Sequence, residues 1–142
     1  VAVDVGHGQL HASLAADPRV VSLEGRDARS LTAADIPGPV GAITADVSFI
    51  SLTLVLPAVV SFAAPGAWLV VLVKPQFEAG RENVGKGGIV RSAAARQAAF
   101  DRAEAAIAAL PGWRIVGSIP SPITGGSGNT EQLIGARFGE RA

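Results

Sequence analysis

The chain has 142 residues, the length of a single domain, and 49% of them are hydrophobic whereas 17% are charged. This composition excludes a chain that is disordered as a whole. Twelve basic residues balance twelve acidic ones, which excludes a polybasic or acidic tail as the main functional feature. Because the chain has no cysteine, disulfides, zinc–thiolate sites and cysteine nucleophiles are excluded as well.

The histidines do not predict a metal site, and we expect none. His7 and His11 are the only two, and their spacing places two imidazoles on one face of a helix. However, Gly6 and Gly8 flank His7 and predict a turn at this position.

Apolar, β-branched runs alternate with helical patterns along the whole chain. In chain order, the first half predicts a strand (1–5), a helix (10–16), a strand (19–24), a weak helical turn (28–36), a strand (41–46) and a helix (51–64). The second half predicts a strand (68–74), a glycine-rich loop (75–90), a helix (92–110), a strand (113–119), a loop (120–129) and a strand (131–138). This alternation predicts βαβ units, an α/β fold and a parallel sheet buried on both faces.

An uncharged run covers residues 47–73 and is long enough to span a bilayer. Pro57, Pro65 and Gly66 interrupt it, since a proline removes a helical hydrogen bond and the Pro-Gly pair predicts a turn. We therefore expect a buried helix followed by a buried strand here, and no stable membrane association.

Charged side chains stand at the predicted strand ends, where ligands bind in parallel α/β sheets. They are Asp4, Glu24 and Asp27, Asp46, Lys74 and, at the start of the last strand, Glu131. If the last strand runs antiparallel to the others, its start lies at this same edge. Neighbouring strands are about 5 Å apart, so Asp46 and Lys74 touch if their strands pair directly.

Two interpretations of Asp46 and Lys74 stay open from the residues alone. One is an ordinary ion pair that closes the sheet edge, and a carboxylate there also commonly caps the next helix. The other is catalytic, because a partly buried lysine between carboxylates can act as a general base or as an oriented cation for a nucleophilic oxygen. Asp4 and Asp27 are suited to accept hydrogen bonds from the ribose hydroxyls and exocyclic amine of a nucleoside.

The loop sequence GRENVGKG at residues 80–87 is close to a phosphate-binding P-loop. It lacks the Ser or Thr that would hold magnesium, and no helix follows its lysine directly, so we expect no nucleotide triphosphatase. Two interpretations stay open: a mobile lid whose Arg81, Lys86 and Arg91 contact phosphates, or a flexible solvated loop.

Four motifs follow one another along the chain: VDVGHGQL at 3–10, DVSFISL at 46–52, LVKPQFE at 72–78 and SGNTE at 127–131. Together they strongly resemble the TlyA-type haemolysin-like RNA methyltransferases of the FtsJ-like group, and the resemblance runs through essentially all 142 residues. It implies a Rossmann-like class I methyltransferase sheet with helices on both faces. It also implies S-adenosylmethionine as the cofactor and ribose 2′-hydroxyls of ribosomal RNA as the substrate.

The resemblance further implies the roles of individual residues. The family uses a Lys-Asp-Lys-Glu catalytic set, and Asp46, Lys74 and Glu131 match its last three members. Lys74 would be the base or orienting cation for the ribose hydroxyl, and the two carboxylates would position it. Asp4 would hold the cofactor ribose, Asp27 would lie beside the adenine, and Asp46 would also face the cofactor.

The chain departs from the family pattern at its start. Family members carry an upstream RNA-binding domain, then the first sheet strand, the glycine-rich cofactor loop and a helix with the first catalytic lysine. Residues 1–142 match none of these, begin inside an apolar run and contain no methionine. We therefore expect a partial FtsJ-like methyltransferase domain over residues 1–142, inactive alone and lacking a central strand between those that end at Asp4 and Asp46.

Two functions from other classes stay open beside a cytoplasmic methyltransferase that acts on ribosomal RNA or a ribosomal subunit. The missing cofactor loop favours a non-catalytic RNA-binding remnant or accessory. The uncharged run at 47–73 motivates a membrane-active haemolysin.

Overall fold

A computed structural model describes residues 1–139 and confirms the α/β class. The strands are β1 (Ala2–Asp4), β2 (Ser22–Glu24), β3 (Val40–Ala45), β4 (Ala63–Val73), β5 (Trp113–Pro120) and β6 (Gln132–Phe138). The α-helices are α1 (Ala12–Ala15), α2 (Leu52–Val59), α3 (Pro75–Glu78) and α4 (Ala93–Ala108). Short 3₁₀ turns cover Ala28–Ser30, Val60–Phe62, Arg81–Asn83 and Lys86–Gly88.

The strands form two separate sheets. β1 and β2 are a parallel pair, and the other four strands are arranged in the order β3-β4-β6-β5. β3 runs parallel to β4, whereas β6 runs antiparallel to both β4 and β5. Because β6 is antiparallel, its first residues lie at the edge where β4 ends, and Gln132 pairs with Val73.

The main core lies between the four-stranded sheet and helices α2 and α4. Leu69 and Val71 of β4 pack there with Leu56 of α2 and Ile107 of α4. α4 forms as predicted, with the Ser92 hydroxyl capping it by accepting a hydrogen bond from the Ala95 amide. The opposite face of β4 is exposed at Trp68 and Val70, so this strand differs from the expected burial on both faces.

The Pro65-Gly66 pair lies inside β4, although its sequence predicts a turn before the strand. The pairing of β3 with β4 shifts here, since Val40 pairs with Ala63 and Ala42 already pairs with Trp68. Gly66 adopts a φ of 82°, which glycine reaches without steric cost. The strand therefore bulges at Pro-Gly. The helix before it, α2, is shorter than the predicted helix over 51–64.

The uncharged run of residues 47–73 is divided between α2, a 3₁₀ turn and β4. Within residues 1–139, none of the helices combines the length and the apolar character needed to cross a membrane.

An apolar cavity of about 460 Å³ separates β1 from β3. The residues that line it include Val1 and Val3, Ala42 of β3, and Val55 and Val59 of α2. Within residues 1–139, β1 pairs with β2 alone and β3 pairs with β4 alone, so each strand has one unpaired edge. β3 is partly exposed for this reason, although its residues are those of a buried strand.

Candidate active site

Asp46 and Lys74 form an ion pair at the carboxyl edge of the four-stranded sheet. Asp46 follows β3 directly and Lys74 follows β4 directly, and these two strands are hydrogen-bonded neighbours. The Lys74 Nζ lies 2.7 Å from Asp46 Oδ1 and donates to Ser48 Oγ at 3.1 Å. The Lys74 side chain is 17% exposed and that of Asp46 is 66% exposed, so the pair faces solvent through its carboxylate. The predicted contact is confirmed.

Glu131 stands on the other side of β4 from Asp46. It immediately precedes β6, the neighbour of β4, and only 4% of the residue is exposed. Burial raises the pKa of the Glu131 carboxyl, the positive charge of Lys74 opposes this rise and the negative charge of Asp46 adds to it. A buried carboxyl that is electrostatically coupled to a lysine and a second carboxylate is typical of functional sites.

Asn129 connects the two glycine-rich loops near Glu131. Its side chain is buried, with Oδ1 accepting from the Val90 amide at 3.0 Å and Nδ2 donating to the Gly88 carbonyl at 2.8 Å. Val90 packs with Ala79 and Ala99 in a small second core. The loop at 75–90 is therefore anchored at its carboxyl end to the loop that precedes β6.

The basic residues of this loop are exposed, as a contact with phosphates requires. Arg81 lines an open groove together with Phe49 and Phe77, next to the segment that follows Asp46. Lys86 and Arg91 flank the part of the loop that Asn129 holds.

Asp4 and Glu24 end β1 and β2 side by side and hold the turn that follows β1. Asp4 Oδ1 accepts from the Gly6 amide at 2.7 Å, and Glu24 Oε1 accepts from the Gly8 amide at 2.8 Å. Asp4 is exposed, so its second carboxylate oxygen is accessible to a ligand.

Asp27 is engaged differently, because its carboxylate caps the turn Ala28–Ser30. It accepts from the Arg29 amide at 2.8 Å and from the Arg29 guanidinium, the shortest contact being 2.6 Å. The side-chain hydrogen bond with Arg29 lowers the pKa of Asp27 to about 2. A carboxylate offers about four acceptor positions, and Arg29 supplies a donor to both oxygens, which leaves Asp27 little capacity for a ligand.

Sequence reasoning missed Ser48, Phe49 and Glu78, although all three stand within the motifs at 46–52 and 72–78. Ser48 accepts a hydrogen bond from Lys74. Phe49 is 91% exposed and has a φ of 64°, a strained conformation for a bulky residue. Its ring centroid lies 5.2 Å from that of Phe77, so an aromatic contact joins the segments after β3 and β4.

Within residues 1–139, no group of three histidine or carboxylate side chains is arranged to hold a metal ion. His11 instead caps α1, with its Nδ1 accepting from the Ser13 amide. His7 lies against Gly25.

The chain is similar in sequence to several known proteins. The chain is 50% identical over 137 residues to the 16S/23S rRNA (cytidine-2′-O)-methyltransferase TlyA of Mycobacterium tuberculosis, which covers 96% of the chain and 51% of that protein. It is 40% identical over 136 residues to Hemolysin A of Brachyspira hyodysenteriae, covering 93% of the chain and 55% of that protein. The chain thus spans about half the length of the curated relatives it matches.

A solved structure of a Lactococcus lactis protein, provisionally named a hemolysin, superposes with a TM-score of 0.90 at 38% identity. The superposition covers 98% of this chain and 67% of the other. The profile of the family described as FtsJ-like methyltransferase matches residues 1–138. The fold, the order of the motifs and these matches together show that the chain belongs to the FtsJ-like methyltransferase family.

Proposed function

We propose that the protein containing this chain transfers the methyl group of S-adenosylmethionine to ribose 2′-hydroxyls of ribosomal RNA. The observation that carries the proposal is the Lys74 ammonium paired with Asp46 at 2.7 Å and coupled to buried Glu131 at one sheet edge. The relative from M. tuberculosis supports the substrate class, since it is named as a cytidine-2′-O-methyltransferase of 16S/23S rRNA.

Lys74 orients the attacking oxygen in this proposal. A lysine ammonium has three donors, of which Lys74 directs one to Asp46 and one to Ser48. The third is available to the 2′-oxygen of the incoming ribose. Methyl transfer needs alignment of the two reacting groups, and a lysine held from two directions supplies it. Because an ammonium has no free electron pair, the hydroxyl proton passes to a carboxylate oxygen of Asp46, which Lys74 contacts.

The residues at the ends of β1 and β3 fit S-adenosylmethionine, which when bound supplies an activated methyl group on its sulfonium sulfur. Ribose hydroxyls need carboxylate acceptors, and Asp4 presents an accessible oxygen at a strand end. The exposed Asp46 carboxylate follows β3 and lines the cavity between β1 and β3. Asp27 would hold the turn Ala28–Ser30 beside the adenine. Ala28 of this turn lines the cavity between β1 and β3.

Ribosomal RNA would meet this edge across the exposed basic loop. Arg81, Lys86 and Arg91 would contact phosphates, which position an RNA without reading its sequence. A cytoplasmic location follows from the substrate, because ribosomes are assembled and used there.

We also propose that residues 1–142 are part of a larger methyltransferase domain, in which one more strand lies between β1 and β3. Both strands have an unpaired edge, and an apolar cavity of about 460 Å³ lies between them. Unpaired edges are templates for a further strand. In hydrogen exchange, the β1 and β3 amides of the full-length protein should exchange more slowly than those of residues 1–142 alone. Equal exchange in the two would contradict this proposal.

The activity is tested with the full-length protein, tritiated S-adenosylmethionine and ribosomal subunits. Label should enter the RNA, and the modified linkage should resist alkaline cleavage, because a 2′-O-methyl group removes the nucleophile that alkali uses. Methylation of a base would leave the linkage sensitive and contradict the proposed acceptor. An absence of transfer would favour the non-catalytic RNA-binding accessory.

A membrane-active haemolysin is the second candidate, because one relative is named Hemolysin A. It predicts that the purified full-length protein releases dye from liposomes at the concentrations that lyse cells. Liposomes that stay intact would remove this candidate.

A further inference from the structure

Glu78 is a buried carboxylate that lies outside the Asp46, Lys74 and Glu131 group. Only 4% of the residue is exposed. Its Oε2 accepts from the Ser51 hydroxyl at 2.6 Å, and its Oε1 accepts from the Leu52 amide at 2.7 Å. Both oxygens are therefore bound to the N-terminus of α2, where a negative charge is favourable.

The position of Glu78 along the chain connects it to the ion pair. Lys74 immediately precedes α3, and Glu78 is the last residue of that helix. Ser51 caps α2 and ends the short connection that begins at Asp46. The two bonds of Glu78 thus join the segment that carries Lys74 to the segment that carries Asp46, 26 to 27 residues apart along the chain.

Neighbouring contacts hold Glu78 itself in place. Arg102 of α4 donates from Nη1 to the Glu78 backbone carbonyl at 2.8 Å. The rings of Phe49 and Phe77 make a second link between the same two segments. Because a buried carboxylate is costly unless both oxygens are bonded, the side chain has one favourable arrangement.

We propose that Glu78 is a positioning residue for the reaction, which holds the segments after β3 and β4 so that Lys74 Nζ meets Asp46. The inference rests on the proposed function of this pair. The side-chain hydrogen bonds of Glu78 go to Ser51 and Leu52, so it acts through the start of α2.

The test uses the full-length protein with Glu78→Ala, Glu78→Gln and Ser51→Ala. Ser92→Ala is the matched control, because it removes the cap of α4 without contacting the site. Three quantities are measured for each variant: the kcat of methyl transfer, the affinity for S-adenosylmethionine, and the ¹⁵N resonance of Lys74 Nζ, assigned by its loss in Lys74→Arg.

Glu78→Ala should lower kcat by about 10²-fold, the loss expected when a reacting group is misplaced by about 1 Å, with cofactor affinity unchanged. It should also move the Lys74 resonance. Glu78→Gln keeps the shape and can bond both partners, so it should restore most of kcat and the resonance. Ser51→Ala should change kcat and the Lys74 resonance in the same direction as Glu78→Ala, by a smaller amount. This variant keeps the test decisive if Glu78→Ala does not fold.

Two results together would overturn the proposal and show that Glu78 is a structural residue only. The loss of activity in Glu78→Ala and Ser92→Ala would be proportional to the loss of Tm, and the Lys74 resonance would not move. The resonance does not depend on turnover. If the wild-type protein transfers no methyl group, the proposed function fails, whereas the movement of Lys74 still decides whether Glu78 positions it.

Discussion

Gly125 leaves the space that the Glu131 carboxylate occupies. A Cβ placed on Gly125 would overlap with Glu131 Oε1 and lie 2.8 Å from Cδ. Gly125 has no positive φ, so its lack of a side chain serves this close approach and not a special backbone conformation. The loop at 120–129 thereby leaves room for the buried carboxylate of Glu131.

Gly125→Ala should therefore lower activity more than stability. The carboxylate is the far end of a side chain and can move away from a new methyl group, but the move takes it out of its arrangement with Lys74. We expect kcat to fall by about tenfold or more, as for other displaced catalytic groups, with a small change in Tm. Gly126→Ala is the control, because a Cβ there meets nothing within 4 Å. Equal kcat in the two variants would contradict the role of the close approach.

Lys74→Ala should abolish methyl transfer in the full-length protein while cofactor binding persists. The loss of a positioned acid, base or orienting cation costs about 10²- to 10⁴-fold in rate. Lys74→Arg should recover little, because the planar guanidinium cannot reproduce a compact ammonium between Asp46 and Ser48. Rates are measured by label transfer and binding by calorimetry. Normal turnover in Lys74→Ala would refute the catalytic assignment.

Asp4→Ala should weaken cofactor binding more than RNA binding. Loss of a hydrogen bond to a charged acceptor costs about 1.5–3 kcal/mol, which is roughly 10- to 100-fold in Kd. Asp27→Ala should have a smaller effect, since Arg29 already engages both oxygens of Asp27. Asp17→Ala removes a similar local pair with Arg19 at 2.7 Å and serves as the control. Equal losses of cofactor and RNA affinity in Asp4→Ala would count against its ribose role.

Glu131→Gln should inactivate the protein and stabilise its fold above neutral pH. The pKa of Glu131 is raised in the folded state, so the folded chain binds its proton more tightly than the unfolded chain does. Stability from this group is complete below the unfolded value near 4.5 and is lost as pH rises through the folded value. Scans of Tm against pH should place the Glu131→Gln variant above the wild-type protein at about pH 8, with the two converging below about pH 4.5. A wild-type Tm that exceeds that of the variant in the alkaline range would contradict this sign.

Asn129→Ala should destabilise the protein by about 2 kcal/mol, because it leaves the Val90 amide and the Gly88 carbonyl without their buried partner. Urea unfolding measures the change. Ser127→Ala removes only the 2.9 Å contact to Asn129 Nδ2 and should have a much smaller effect. Similar losses in both variants would show that the loop connection carries little of the stability.

Local patterns predicted the elements that bear the site. The Ser92 cap and the alanine-rich run after it define α4, since caps and helical propensity act over a few residues. The placement of Asp46 and Lys74 at strand ends follows from runs of β-branched residues that stop at a charge. The contact of the two side chains followed once the strands were neighbours, because the spacing of paired strands is fixed.

The sequence by itself therefore determined the α/β class, the motifs and the residues that stand at the sheet edge. The tertiary structure alone decided three contacts. Glu78 bonds the start of α2, Asn129 binds the loop at 75–90, and the missing side chain of Gly125 leaves room for the Glu131 carboxylate. The first two of these contacts join residues 26 to 39 positions apart, and no local preference encodes them. They depend on how strand order and loop packing bring distant segments together, and that same packing buries Glu131 and raises its pKa.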